Sequence, residues 1–381
     1  LGQPVKIVIA PGAFKHSLSA GQAAEAIERG LRRSGLGADL IRLPIADGGN
    51  GTLDAFLAGG GRRVEAMTLD PLERPLASAF GLLEDGQTAV IEMALASGLE
   101  LLRPDELDAV RATSYGTGLL MQAALVSGAR RVIVGLGGSA TTDGGAGCLQ
   151  ALGARLLDAE GLELPTGAGA LETVQRVDFS GVDARWQEVE VILAADVDNP
   201  AVGPMGAAAV FGPQKGATPA DVAFLDGAID HFLGVIARQT GGDVRTIPGG
   251  GAAGALAAGL MTCLPARLQS GADLILDYNG FDEAVCEAAL VITGEGRMDA
   301  QTIQGKGPMG VARRANRLGV PTVALVGGLG VDAAVLHKAG LQAVLPIVSG
   351  PMSLEDAIRQ AADLLEGAAL RLGYVLQIRL L

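Results

Sequence analysis

Aromatic residues make up only 3% of this chain. A core built almost without rings has to be packed from Val, Ile, Leu and Ala, as in α/β proteins whose strands are covered on both faces. Cysteine is equally sparse. Cys148, Cys263 and Cys286 lie far apart with no CxxC spacing, which argues against a zinc ribbon or a disulfide framework and reads as reduced core thiols of a cytoplasmic protein. The histidines His16, His231 and His337 lack metal-site spacing, so a zinc enzyme or a histidine-driven hydrolase is disfavoured. There is no GxxxxGK[ST], no HRD and DFG pair, no HExxH and no GxSxG. Those absences remove the Walker A loop, the protein-kinase core, the zincin helix and the nucleophile elbow. Basic residues are in deficit, and the formal net charge of -13 disfavours nucleic acid and anionic lipid as partners. The longest stretch poor in charge, residues 247–265, is broken by Pro248 and crowded with Gly and Ala. It reads as a buried loop and helix, not as a membrane span. No charged segment followed by an apolar one precedes the first strand-like run, so no signal peptide is expected.

Glycine is what the chain has in abundance, with 57 residues, gathered at the ends of apolar runs where turns and anion-binding loops sit. Residues 5–10 read as a buried strand, Ser19 caps a helix with apolar positions spaced three and four apart, and 40–45 is the next strand. Residues 62–93 change to short strands separated by turn signals, an antiparallel meander. The last quarter alternates again: strand 289–293, helix 307–318, strand 322–326, helix 332–339, strand 343–347 and helix 354–370, a run of parallel βαβ units. Since the two ends resemble each other and the middle does not, the expected organisation joins 1–60 with 286–381 into one three-layer α/β domain. Residues 61–285 form a second, mixed α/β domain inserted between them.

Three glycine-rich loops follow buried strands. The first, 10–17, carries Lys15 at a helix N-terminus, where backbone N–H groups and a positive charge suit an anion. The second, 135–145, formally matches GxGxxA through Gly135, Gly137 and Ala140, a weak signal for a dinucleotide. The hydroxyls of Ser139, Thr141 and Thr142 suit a phosphate cradle better. The third, 293–299, packs Glu295, Arg297 and Asp299 together: a guanidinium for a carboxylate or phosphate, and carboxylates for magnesium. Two further strand ends carry Asp47 and Asp196, each able to act as a general base or metal ligand, and Lys215 supplies one more cation.

Read together, KIVIAPGAFKHSLSA, PIADGGNGT, IEMALASGLELL, TSYGTGLL, GLGGSATTDGGAGCLQALGARLLD, DVDNP with FGPQKGA, PGGGAAGAL and VITGEGRMDAQTIQGKGPMGVA resemble the type I glycerate kinases, block by block, over nearly the whole chain. The resemblance implies a flavodoxin-like domain made from both chain ends, a middle α/β domain inserted into it, and an active site in the cleft between them. It implies phosphorylation of D-glycerate by ATP with magnesium, favouring 2-phosphoglycerate, in a protein that binds a small molecule and leaves room for a homodimer. By the same resemblance Lys15, Asp47, Asp196 and Arg297 are the catalytic candidates. Gly137, Gly138, Ser139, Thr141, Asp143 and Lys215 are expected at the nucleotide, and Ser17, Gly48, Gly49, Ser114, Asn199 and Gln301 at the acceptor. Asp196 and Glu295 are the candidate metal ligands. The chain departs from the family pattern at Gly12, Ala13 and His16, where the family has Asp, Ser and Gly, at Asn50 in place of Glu, and at Ala255 in place of Gly. These departures keep two alternatives open: a kinase for another small hydroxy or sugar acid, and a catalytically silent binder of phosphate ligands.

Overall fold

The computed structural model describes residues 5–46, 48–299, 302 and 307–378. Along the chain the strands are β1 (Val5–Ile9), β2 (Ala38–Arg42), β3 (Arg62–Leu69), β4 (Pro75–Leu82), β5 (Thr88–Glu92), β6 (Arg131–Gly135), β7 (Arg155–Leu157), β8 (Arg176–Asp178), β9 (Glu190–Ala194), β10 (Ala266–Gln269), β11 (Ala288–Met298), β12 (Thr322–Leu329) and β13 (Ala343–Pro346). The chain divides into two compact units. Unit 1 is Leu1–Asp47, Asp54–Gly59 and Ala272–Leu381, and unit 2 is Gly48–Leu53 and Gly60–Gly271.

In unit 1 the period-2 rule of a strand decides the layering. Ile7 and Ile9 point into one apolar cluster with Ala23, Ile27 and Leu365, while Val8 and Ala10 point into another with Phe281, Val291 and Val311. A sheet apolar on both faces needs helices on both faces. The helices Ala20–Arg33 and Ala361–Leu376 cover the first, and Phe281–Val285 and Pro308–Arg317 the second. The first helix starts where Ser19 and Gln22 form a reciprocal capping box, with bonds of 3.1 and 2.9 Å. Gly30 lets the two helices of the first face meet closely, since a Cβ there would lie 2.2 Å from the Glu366 carbonyl oxygen.

The unit 1 sheet is wholly parallel, in the order β13-β12-β11-β1-β2. Numbered within the unit and read from the other edge, this is 2-1-3-4-5, the flavodoxin-like winding, so the fold expected from the sequence is the one found. Two elements differ from their sequence reading. β11 and β12 run to Met298 and Leu329, several residues past the expected ends, because Gly296 and Gly327 let the two backbones stay in register: a Cβ on Gly327 would lie 2.4 Å from the Gly296 carbonyl oxygen. The segment carrying Glu295 and Arg297 is therefore strand, not loop. The last helix is two, Leu354–Arg359 and Ala361–Leu376, broken at Gln360.

Unit 2 holds a six-stranded mixed sheet, β10-β9-β6-β5-β4-β3. β3, β4 and β5 pair antiparallel, as the meander reading expects, and β5, β6, β9 and β10 continue parallel. A single apolar cluster contains Val132, Val134, Val191, Leu193, Leu256, Phe232 and the fully buried Trp186. Of the cysteines, Cys148 is buried, Cys263 half-buried and Cys286 exposed, so the core reading fails for Cys286. Burial pushes the Cys148 thiol well above its ordinary range and the Cys263 thiol up to about 12. Among the described residues no helix is long and apolar enough to cross a membrane.

Candidate active-site residues

In unit 1 the chain stays hydrogen-bonded to β11 after β1 ends. Ala10 N donates to Ile292 O at 2.7 Å and Gly12 N to Gly294 O at 2.8 Å, while Thr293 Oγ1 donates to Ala10 O at 2.8 Å. Phe14 and Leu18 then exchange backbone hydrogen bonds of 2.9 Å and close a tight turn with Lys15, His16 and Ser17 at its tip. Phe14 is buried and anchors the turn, whereas Lys15 is exposed. Ser17 Oγ donates to Phe14 O at 2.9 Å, so this hydroxyl is used inside the turn. His16 sits at a φ of 65°, in the left-handed region. β11 passes beside the turn: a Cβ on Gly296 would lie 3.4 Å from Lys15 N. Glu295 is half-buried and accepts from Thr302 Oγ1 at 2.7 Å, and that hydroxyl oxygen accepts from Asp299 N at 3.1 Å. Arg297 is exposed. Lys15, Glu295 and Arg297 thus gather where the strand order reverses, between β1 and β11, the place where open α/β sheets receive ligands.

In unit 2 the loop after β6 is held from several sides by backbone alone. Leu136 N donates to Ala194 O at 3.0 Å, Gly137 N to Gly48 O at 2.8 Å, Leu99 N to Gly138 O at 2.8 Å and Ala140 N to Ser97 O at 2.9 Å. Side chains would not fit such approaches. A Cβ on Gly137 would lie 2.4 Å from Gly49 Cα, and one on Gly48 2.5 Å from Ala194 O. Gly138 also requires φ of 75°. Glu92, at the end of β5, is buried and accepts from Gly51 N and Leu53 N, both at 3.0 Å. It caps the helix Thr52–Leu57 and fixes the segment carrying Gly48 and Gly49. Sequence reasoning assigned Glu92 no role; its one signal is a carboxylate closing an otherwise uncharged strand, TAVIE.

Asp143 and Ser114 face inward. Asp143 is fully buried. Its Oδ2 accepts from Ser114 N and Ser114 Oγ at 2.8 Å each and from Gly147 N at 3.2 Å, and its Oδ1 from Gly145 N at 3.1 Å. Ser114 Oγ accepts in turn from Cys148 N at 3.0 Å. This network joins the starts of the helices Tyr115–Val126 and Ala146–Ala151.

Lys215 is buried in the same unit. Its Nζ donates to Ser139 Oγ at 2.8 Å and to Thr141 O at 2.6 Å. Burial pulls this ammonium down to about 7, against the opposing field of Asp143. Among the described residues, Thr141 Oγ1 and Thr142 Oγ1 are buried with no hydrogen-bond partner. The 248–256 segment abuts this loop: Gly144 N donates to Gly254 O at 2.9 Å, and Ala253, Gly254 and Ala255 have φ of 56°, 68° and 67°.

Asp196 follows β9, is half-buried, and accepts from Gly271 N at 3.1 Å. Asn199 Nδ2 donates to Met205 O at 2.8 Å. Of the remaining candidates, Asp47 and Gln301 lie outside the described residues.

Glycine-rich turns at the carboxyl ends of parallel strands, shaped by backbone approach, are where an open α/β protein receives an anionic ligand, and the comparisons with known proteins give the class as a phosphotransferase. A sequence profile of the Glycerate kinase family matches residues 7–377, and the chain belongs to that family. It is 48% identical to a glycerate kinase of Bacillus subtilis (strain 168) over 96% of each chain. It is 44% identical to a glycerate 2-kinase of Escherichia coli (strain K12) over 94% of each. A crystal structure from Salmonella typhimurium LT2, assigned as glycerate kinase 2, superposes with a TM-score of 0.86 at 43% identity, covering 98% of this chain and 99% of that one.

Proposed function

We propose that this protein transfers the terminal phosphoryl group of ATP to a hydroxyl of D-glycerate, with 2-phosphoglycerate as product. The observation that carries this reading is its similarity, over almost its full length, to proteins named glycerate kinase, one of them a glycerate 2-kinase.

The residues of unit 2 fit a nucleotide phosphate. In the turn after β6, Gly137 and Gly138 sit where a Cβ would meet Gly49 Cα and Asn50 Oδ1, Ser139 and Thr141 follow them, and the hydroxyls of Thr141 and Thr142, buried with no partner among the described residues, are groups that cost about 1–3 kcal/mol each until they find a partner. Asp143 and Ser114 hold that turn's frame. Gly48 and Gly49 border it, and Asn199, whose amide is bonded to Met205 O, shapes the neighbouring segment.

Among the described residues no three His, Cys, Asp or Glu side chains gather as a metal cage. Magnesium commonly takes one or two carboxylates and leaves its other positions to phosphate and water, so a site using Asp196 or Glu295 fits. Bound there, magnesium would supply charge neutralisation for the phosphates. Lys15 and Arg297 are assigned to the acceptor carboxylate and the migrating phosphoryl charge. Asp196 or Asp47 is assigned to the proton of the attacking hydroxyl.

A coupled ADP-release assay with Mg-ATP and D-glycerate tests the reading, with phosphorus NMR to locate the new ester. Turnover no faster than without acceptor defeats the substrate assignment. Lys15→Ala and Asp196→Asn are each expected to lower kcat/KM at least ~100-fold, as removal of a transition-state contact does. Near-wild-type rates would remove them from the mechanism.

A further inference from the structure

We infer that Lys215 positions the phosphate-facing loop of unit 2 from its buried side, holding Ser139 and Thr141 without touching the bound anion, and takes up a proton from solvent as that anion binds. This rests on the reading of the 137–142 turn as the phosphate site.

The geometry gives Lys215 nowhere else to act. The residue is 2% exposed. It leaves the short 3-10 turn Pro213–Lys215, whose end is set by Gly216 at φ of 93°. Its Nζ reaches the hydroxyl of Ser139 and the carbonyl of Thr141, bridging the residues on either side of Ala140. Two N–H groups suffice for these two acceptors, so a neutral amine keeps both bonds and the turn keeps its shape in either protonation state.

What the site lacks is countercharge. Among the described residues no carboxylate lies within hydrogen-bond reach of Nζ. Asp143 is the charged group that faces it from the loop, but that carboxylate is already engaged by Ser114, Gly145 and Gly147. Leu107, between Glu106 and Asp108, packs against Gly216. There Glu106 is paired with Arg74, and Asp108 accepts from the backbone N–H groups of Val110 and Arg111. A buried ammonium without a close partner is disfavoured, and burial accordingly pulls Lys215 down to about 7. An anion on the other side of the turn brings the missing negative charge and favours the protonated form.

Isothermal titration calorimetry of the full chain with Mg-ATP decides this, run at about pH 8 in two buffers of different ionisation enthalpy. Mg-ATP is fully ionised there and adds no proton of its own. The wild type is expected to take up close to one proton per nucleotide, seen as a binding enthalpy that changes with buffer. Lys215→Met is expected to take up none and to bind at least ~10-fold more weakly. Ser139→Ala removes one tether and leaves the amine, so it should bind more weakly while still taking up the proton. Should Lys215→Met fail to fold, the wild type and Ser139→Ala suffice. An enthalpy independent of buffer in the wild type overturns the inference and leaves the kinase reading standing. Proton uptake that persists in Lys215→Met also overturns it. No binding of Mg-ATP at all overturns both.

Discussion

Among the described residues four non-glycines, His16, Glu73, Ala253 and Ala255, sit where an L side chain is strained. His16 and Ala255 have φ of 65° and 67°, in the left-handed region that costs a non-glycine residue about 1–2 kcal/mol. Both are positions where the resembled family has glycine, and the backbone explains that preference. The two differ in what a glycine would forfeit. His16 is exposed, so His16→Gly should raise stability by about 0.5–1 kcal/mol in urea unfolding. Ala255 is fully buried, and losing a buried methyl costs about 0.8 kcal/mol. Relief and loss then nearly cancel, and Ala255→Gly should shift stability by less than about 0.5 kcal/mol. Asp143 is the opposite kind of residue, unstrained and saturated. Asp143→Asn puts an amide donor where backbone donors converge, and is expected to cost about 2–4 kcal/mol. Such a variant unfolding at the wild-type urea concentration would show that the network is not structural.

Among the elements, the loops of unit 2 are fitted to one another backbone to backbone, so their glycines divide into two kinds. Gly203 has φ of 93° with nothing among the described residues within 4 Å of its missing Cβ. Gly203→Ala should cost only the left-handed strain, about 1 kcal/mol. Gly254 has φ of 68° and a missing Cβ that would lie 2.0 Å from the Thr141 carbonyl oxygen. Gly254→Ala therefore adds a clash that only movement of the 141–144 backbone relieves, and the total should exceed about 3 kcal/mol. Chemical denaturation compares the two, and equal costs would mean that the 253–255 segment yields freely. Because Thr141 carries the carbonyl that Lys215 grips, Gly254→Ala should weaken nucleotide binding as well, which Gly203→Ala should not.

For the whole molecule, the buried lysine makes stability depend on pH in a direction opposite to that of an ion-paired lysine. Lys215 falls from an ordinary 10.5 to about 7 in the folded chain. Between those values the unfolded chain binds a proton that the folded chain does not, so stability rises with pH across this window, by about 1.4 kcal/mol per pH unit at most. Below about pH 7 both states are protonated and the contribution levels off. Relative to Lys215→Met, the wild type should therefore gain roughly 2 kcal/mol between about pH 7.5 and 9.5, measured by denaturant unfolding at each pH. Parallel curves for the two proteins would place the proton elsewhere. Saturating Mg-ATP should flatten the wild-type slope, since the bound anion restores the charge.

Much of this was legible in residues alone. Alternating apolar strands, helix caps and the return of βαβ units after residue 286 specify a doubly wound sheet, because burial on both faces and right-handed crossovers leave few other ways to fold such a pattern. The glycine-rich loops around Lys15, Ser139 and Glu295 were likewise visible as candidate anion sites at strand ends. Only the tertiary structure decided what each polar side chain faces. Ser114 and Asp143 turn inward to tie helix starts together, Glu92 caps a segment far from it in sequence, and Lys215, which read as one more cation at the nucleotide, is buried beneath the turn. Periodicity reports which face of an element is apolar, but a hydrogen-bond partner forty or seventy residues away in sequence depends on how the loops pack. That packing was set by glycines whose missing side chains let one backbone rest on another.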